Sequence, residues 1–356
     1  MTAPNATSPL PVTADAEDII LCTMGRLTRN LAGIPFPGWS TEKDRAAVVA
    51  QVLPVLQARR GFKTARHADM AELNYEKRRE LLSRALLTPV MAARGKGCHL
   101  ILPGKNRRTA VMLNEEEHIV CHFFRRGDAA GALDSVLEEM TETASYLQEH
   151  LPLAHNRRNG YLTSAPTEAG DGMRFGAMLH LPGLGLAGML GQVSKAMEKL
   201  HLYIAPAAGN RPEETEDSGH LYSLFSMTGP ERSAEEMADY FHSVITRLAE
   251  REQQVRRKLL LTDTPRLKDS IGRAYGLLRY AGALSHRELQ GALSLLRLGS
   301  VQGLIRWEEP LPAILPLLRE LPLLLLSTPD DAELPQRRAA AVRLFLDEHP
   351  HNILFL

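Results

Sequence analysis

The sequence is poor in aromatic residues and cysteine: Phe, Trp and Tyr make up 5 % of 356 residues, and there are 3 Cys. Cys22, Cys98 and Cys121 stand far apart, which gives neither a disulfide framework nor a zinc-ligand spacing and suits a reducing compartment. Net charge is missing as well. Lys plus Arg and Asp plus Glu each total 42, so no global field recruits nucleic acid or an anionic membrane. Long apolar runs are also absent. The most apolar stretch, 321–326, is too short to cross a bilayer and follows Arg319 and Glu320. The first residues lack the basic region and apolar core of a signal peptide, so a cytoplasmic protein is expected.

What remains is an ordinary globular composition, 44 % hydrophobic and 24 % charged, in a chain long enough for two domains. Residues 1–17, rich in Thr, Ala, Pro and Asp, are expected to be a disordered leader. The patterning predicts helices over 41–60, 68–87, 129–151, 185–200 and 233–260. Strands are expected over 99–102, 110–113, 118–124, 175–181, 202–205 and 220–226. Beyond Asp263 the strand signals cease, which places a domain boundary there: 18–260, then a helical 264–356. His67, His99, His118 and His180 show no helical pair spacing with a third ligand in view, so they read as core or surface histidines and no metal site is expected. The basic runs 105–108 and 256–258 read as solvated faces. Gly183, Gly185, Gly188 and Gly191 form no dinucleotide loop, because no βαβ unit with a ribose-binding acid follows.

The most informative run is Gly160-Tyr161-Leu162-Thr163-Ser164-Ala165-Pro166-Thr167-Glu168-Ala169-Gly170-Asp171-Gly172-Met173-Arg174, leading into Met178-Leu179-His180-Leu181-Pro182-Gly183-Leu184. Further ordered motifs are Cys22-Thr23-Met24-Gly25-Arg26-Leu27-Thr28-Arg29-Asn30-Leu31, Asn114-Glu115-Glu116-Glu117-His118-Ile119-Val120, and Ser233 with Glu235 and Glu236. Arg273-Ala274-Tyr275-Gly276-Leu277-Leu278 and Arg297-Leu298-Gly299 come later. Together they resemble the ATP:guanidino phosphotransferases, and most closely the bacterial protein-arginine kinases of the McsB type, from about residue 19 to the end. The resemblance implies an α+β phosphagen-kinase fold, a mostly antiparallel sheet flanked by helices, followed by a helical C-terminal domain.

Phosphoryl transfer to a guanidinium needs carboxylates to hold and deprotonate it, and cations to clamp the nucleotide phosphates. The resemblance places the catalytic acids at Glu116, beside Glu115 and Glu117, and at Glu213; three consecutive loop glutamates can equally be solvated. It places the phosphate-clamping arginines at 24, 26, 120, 174 and 208, where this chain has Met24, Arg26, Val120, Arg174 and Ala208. Charge-assisted hydrogen bonds contribute about 1.5–3 kcal/mol each, so three losses remove about 4–9 kcal/mol if additive. The signature cysteine is Ala165, the nucleotide-side histidine falls on Ala85, and Glu168 and Asp171 add negative charge where phosphates would lie. Arg211, Arg107 and Arg108 are the alternative cations for a rebuilt clamp. A second, phosphoarginine pocket falls on Arg337 and Arg338, which with Arg343 otherwise make a solvated basic face.

The sequence therefore reads as a degenerate protein-arginine kinase, a pseudokinase that binds arginine-bearing proteins or regulatory partners. The alternative is an active kinase using ATP-Mg through a rearranged clamp. Its partners by resemblance are arginine-containing clients, a zinc-binding activator and a Clp-type unfoldase, with room for a homodimer and no place for nucleic acid or membrane.

Overall fold

Along Ile20–Arg29 the side chains at odd positions are buried while Cys22, Met24 and Arg26 are only partly so, and this period of two makes the segment a strand, β1. In a computed structural model, which describes residues 16–83, 86–103, 109–126, 129–164, 169–206, 219–227, 232–315, 317–318 and 333–355, β1 lies inside an eight-stranded sheet. The other strands are β2 (Arg66–Asp69), β3 (His99–Leu102), β4 (Thr109–Leu113), β5 (Ile119–Arg126), β8 (Met173–His180), β9 (Leu202–Pro206) and β10 (Leu221–Ser226). A small ribbon of β6 (His155–Asn156) and β7 (Gly160–Tyr161) stands apart. The sheet order is β2-β3-β4-β5-β1-β8-β10-β9, and every pairing is antiparallel. This is the expected α+β arrangement.

The helices in chain order are α1 (Ala16–Ile19), α2 (Glu42–Ala58), α3 (Tyr75–Ser83), α4 (Pro89–Ala92), α5 (Ala129–His150), α6 (Pro182–Leu186), α7 (Leu190–Lys199) and α8 (Ala234–Thr262). Thr41 with Asp44 starts α2, and Ser233 with Glu236 starts α8, each as a reciprocal capping box. One sheet face packs Leu27, Phe123, Phe175, Ala177 and Leu224 against Val52 of α2, Val136 and Met140 of α5, and Phe241 and Ile245 of α8. A smaller cluster on the opposite face covers β3, β4 and β5 with Met70, Leu81, Leu86, Leu87 and Met91. Past α8, a third cluster joins α9 (Thr264–Tyr280), α10 (His286–Val301) and the C-terminal helix Leu334–Glu348.

Three expectations need correction. The helix expected over 68–87 is a strand end, β2, then a 3₁₀ turn Met70–Glu72 and the shorter α3; Asp69 caps the turn by accepting from Ala71 N–H, which ends the strand and starts a new element. The helix expected over 185–200 is two, α6 and α7, broken where Gly188 takes φ +67°. Strand does return after Asp263: β11 (Ile305–Trp307) pairs with β12 (His351–Ile353). Residues 84–85, 104–108, 165–168, 207–218 and 319–332 lie outside the described residues, so Ala85, Arg107, Arg108, Ala165, Glu168, Ala208, Arg211 and Glu213 do too.

The basic run at 256–258 is not simply a solvated face, because Arg256 is buried. It donates to Glu252 (2.6 Å), Asp18 (2.5 Å) and the carbonyl of His180 (3.0 Å). Arg297 from α10 donates to the other oxygen of Asp18 at 2.7 Å. Glu252 also accepts from the backbone N–H groups of Gly183 and Leu184 at 2.7 and 2.8 Å. A Cβ at Gly183 would stand 2.9 Å from both Arg256 Cγ and Glu252 Oε1, so the approach requires glycine there. Burial works against the Arg256 charge, but Asp18 and Glu252 outweigh it and hold the guanidinium above its usual range. Two acids against two arginines make the knot neutral, as burial demands.

Removing one partner from such a knot strands the rest. Arg256→Leu is expected to cost about 3–5 kcal/mol, seen as a lower urea midpoint. A midpoint unchanged from wild type would show that the knot does not hold α1, α8 and α10 together.

Candidate active site

The antiparallel register puts His122 of β5, Arg26 of β1 and Arg174 of β8 side by side on one rung of the sheet. Residues directly opposite in register share a face. This is the face opposite α5, and the half of it formed by β1, β8, β10 and β9 lies beyond the cluster that covers β3 to β5. Sequence reasoning singled out Arg26 and Arg174 but not His122; nothing in the motif marked it, because the register that places it is a three-strand property.

The loop 114–118 between β4 and β5 supplies the acids. Asn114 takes φ +60°, a conformation asparagine tolerates, and its side-chain amide donates to the carbonyls of Arg45 (3.0 Å) and Gly97 (2.8 Å). His118 closes the loop: its Nδ1 accepts from Leu31 N–H at 3.0 Å, so Nε2 carries the proton and donates to Pro35 O at 2.9 Å. Burial lowers the His118 pKa and keeps it neutral in this pinning role.

The three glutamates do not share one environment. Glu115 and Glu117 are each 1 % exposed, whereas the Glu116 side chain is 54 % exposed. Glu117 accepts from Asn30 Nδ2 (2.5 Å), Ser164 N–H (2.7 Å) and Ser164 Oγ (3.1 Å), and so ties the signature segment to the end of β1. Glu115 accepts from Arg26 at 3.1 Å, from Thr88 Oγ1 and from Glu116 N–H at 3.1 Å. Burial raises its carboxyl, but the Arg26 charge and these hydrogen bonds together hold it below the usual carboxylate range. Glu116 alone of the three presents its carboxylate outward, 3.8 Å from Arg26. The alternative of three solvated glutamates is therefore set aside for Glu115 and Glu117.

Arg26 is engaged on a second side by His122, whose Nε2 stands 3.2 Å from its Nη1. Burial, with the Arg26 charge added, pushes His122 down to about 3, so it is neutral and accepts from the guanidinium. Arg174 donates from Nε to Ser226 O at 3.2 Å. Arg29, on the opposite face, stacks 3.6 Å over the Tyr161 ring and donates to the carbonyls of Thr28 (2.7 Å) and Asp171 (2.8 Å). Burial lowers it to about 10, still protonated at neutral pH.

At the replaced clamp positions, Met24 lies one rung from Arg26 and is partly exposed. Val120 is 0 % exposed and belongs to the cluster with Leu86, Leu87, Met91 and Met112. Among the described residues, Glu115 and Glu117 spend their oxygens on protein donors and the Arg26 charge is matched by Glu115, while Arg174 stands beside Arg26 on the same rung. Of the second pocket, Arg338 is buried on the helix face that carries Ala339 and Val342, and Arg337 is half-buried. Arg343 donates to Ala281 O at 2.5 Å. The solvated basic face expected there is thus largely turned into the protein. The other three histidines weighed as ligands have protein partners: His67 and His99 hydrogen-bond at 2.6 Å, and His180 pairs with Ser294 Oγ at 2.8 Å.

The depressed Glu115 carboxyl makes a signed prediction. A group lowered on folding contributes stability above its unfolded pKa and loses it as pH falls through the folded value. The stability advantage of wild type over Glu115→Gln is expected to be full above about pH 5 and to shrink as the solution is acidified below that. A pH-independent difference would mean that the Arg26 pair is not what holds Glu115. For His122, the ring resonance in NMR is expected to stay unshifted between about pH 5 and 8; a titration in that window would break the assignment of Nε2 as acceptor.

The chain matches the ATP:guanido phosphotransferase, C-terminal catalytic domain over residues 47–255 and the protein-arginine kinase McsB C-terminal domain over residues 264–312. It is 32 % identical over 292 residues to a protein-arginine kinase of Moorella thermoacetica, covering 81 % of each chain. To that of Shouchella clausii it is 29 % identical over 304 residues, 85 % of this chain and 83 % of the relative. In structure it is similar to lombricine kinase, with a TM-score of 0.56 at 18 % identity over 70 % of each chain, which speaks for the fold. The chain belongs to the ATP:guanido phosphotransferase family.

Proposed function

We propose that this chain is a protein-arginine kinase homologue that binds arginine-bearing proteins through Glu116, with Glu213, and has lost effective phosphotransfer. The observation that carries the reading is the state of the arginine half of the site. Arg26 is matched by Glu115 and His122, and a clamp position is filled by Val120 inside a hydrophobic cluster. A triphosphate would have to displace Glu115, which is held by Thr88 and the Glu116 N–H as well as by Arg26. The carboxylate half supports guanidinium recognition, since Glu116 is outward and fixed by its buried neighbours. In this reading the protein is cytoplasmic, with residues 18–260 as the guanidinium-binding domain and 264–356 as the helical C-terminal domain. A zinc-binding activator or a Clp-type unfoldase is then the class of regulatory partner, and ATP-Mg is not a resident ligand.

A second reading, an active ATP-dependent kinase, is favoured by Arg26 and Arg174 standing on one rung next to Glu116. Calorimetry with ATP-Mg separates the two. No heat at millimolar ATP, with arginine binding abolished by Glu116→Ala, is the expected result. Micromolar ATP binding followed by phosphate transfer to arginine would overturn it.

A further inference from the structure

We infer that the open sheet face beside Arg174 is a specificity surface that reads an apolar residue near a client's arginine, an inference that rests on the arginine-binding reading above. The rung next to His122, Arg26 and Arg174 runs through Phe124, Met24, Gly176, Phe225 and Tyr203. Tyr203 is 56 % exposed, Phe225 36 % and Met227, just past β10, 39 %. Three such large apolar side chains gathered on adjacent positions form a patch rather than scattered exposure. The Phe225 ring lies across Gly176, where an added Cβ would come within 2.8 Å of it, so the ring leans from β10 over β8 toward Met24. Methionine side chains at Met24 and Met227 adapt to varied partners.

The occupant is an extended segment of an arginine-bearing polypeptide. Its guanidinium meets the outward carboxylate of Glu116, the exposed one of the three loop acids, by charge complementarity. From β1 to β10 is two strand spacings, about 10 Å, or roughly three residues of extended chain. The surface therefore selects an aromatic or branched aliphatic residue three to four positions from the arginine. A nucleotide base would fit the same rings, but its phosphates would lie where the Arg26 charge is already matched by Glu115. A polypeptide needs no such clamp.

The test uses fluorescein-labelled twelve-residue peptides with one arginine and either Phe or Ser three residues away, titrated against the full chain. The Phe peptide is expected to bind about tenfold tighter. Tyr203→Ser and Met227→Ser, both at exposed positions, should erase that difference, as should Phe225→Ser. Glu116→Gln should abolish the arginine-dependent binding of both peptides. Equal binding of the Phe and Ser peptides, with the Glu116 dependence intact, overturns the specificity surface and leaves the arginine reading standing. Absence of any arginine-dependent binding overturns the arginine reading itself. Adenosine monophosphate binding tighter than the Phe peptide and displacing it would assign the rings to a nucleotide and also overturn the proposal.

Discussion

A guanidinium on the middle strand of a sheet needs a counter-charge, and the pairing of Arg26 with Glu115 is the constraint from which the site follows. Arg26 is held in β1 by ladders on both sides, so strand pairing sets its position. The acid has to come to it. The β4–β5 loop delivers Glu115 only because Asn114 turns left-handed and Glu117 folds back onto Asn30 and Ser164. With the flanking acids drawn inward, the residue between them faces out. The outward carboxylate of Glu116 is thus a geometric consequence of two buried neighbours, and the same geometry matches the Arg26 charge with Glu115.

The same electrostatic rule operates on a larger scale around Arg256. Buried charges persist when each is paired and hydrogen-bonded. Here Asp18, Glu252, Arg256 and Arg297 satisfy one another and take up the N–H groups at the start of α6 and the carbonyl of His180. His180 ends β8, the strand that carries Arg174, so the knot anchors one edge of the site to α8 and α10. A chain with no net charge is therefore not featureless: some of its charges are paired deep inside.

How much of this was legible in the sequence depends on the range of the interaction involved. The fold followed from ordered motifs, and most strands and long helices from local periodicity. Glu116 was singled out by resemblance alone, without its outward orientation. The split of 68–87 was missed because Asp69 caps a turn through a side-chain bond that competes with helix propensity. The burial of Arg256 was missed because its partner Asp18 lies 238 residues away and a run of three basic residues reads locally as surface. His122 was missed for the same reason, since the register that sets it beside Arg26 is a product of strand pairing. That Glu115 and Glu117 turn inward while Glu116 does not was not legible, because nothing short-range distinguishes the three.

The two replaced clamp positions on β1 and β5 differ in what their loss means for the protein. Met24 is partly exposed on the open face, so an arginine there would reach solvent and cost little to house. Val120 packs with Leu86, Leu87 and Met91, and an arginine in its place would bury a charge in that hydrophobic cluster, where Glu115 of the same loop already serves Arg26. A buried unpaired charge costs several kcal/mol, comparable to the whole stability margin of a domain at about 5–15 kcal/mol. Restoring the first arginine is thus a surface change, whereas restoring the second requires the cover over β3 to β5 to open. Of these two positions, one has thus been absorbed into the packing of the fold and the other stays on its open face.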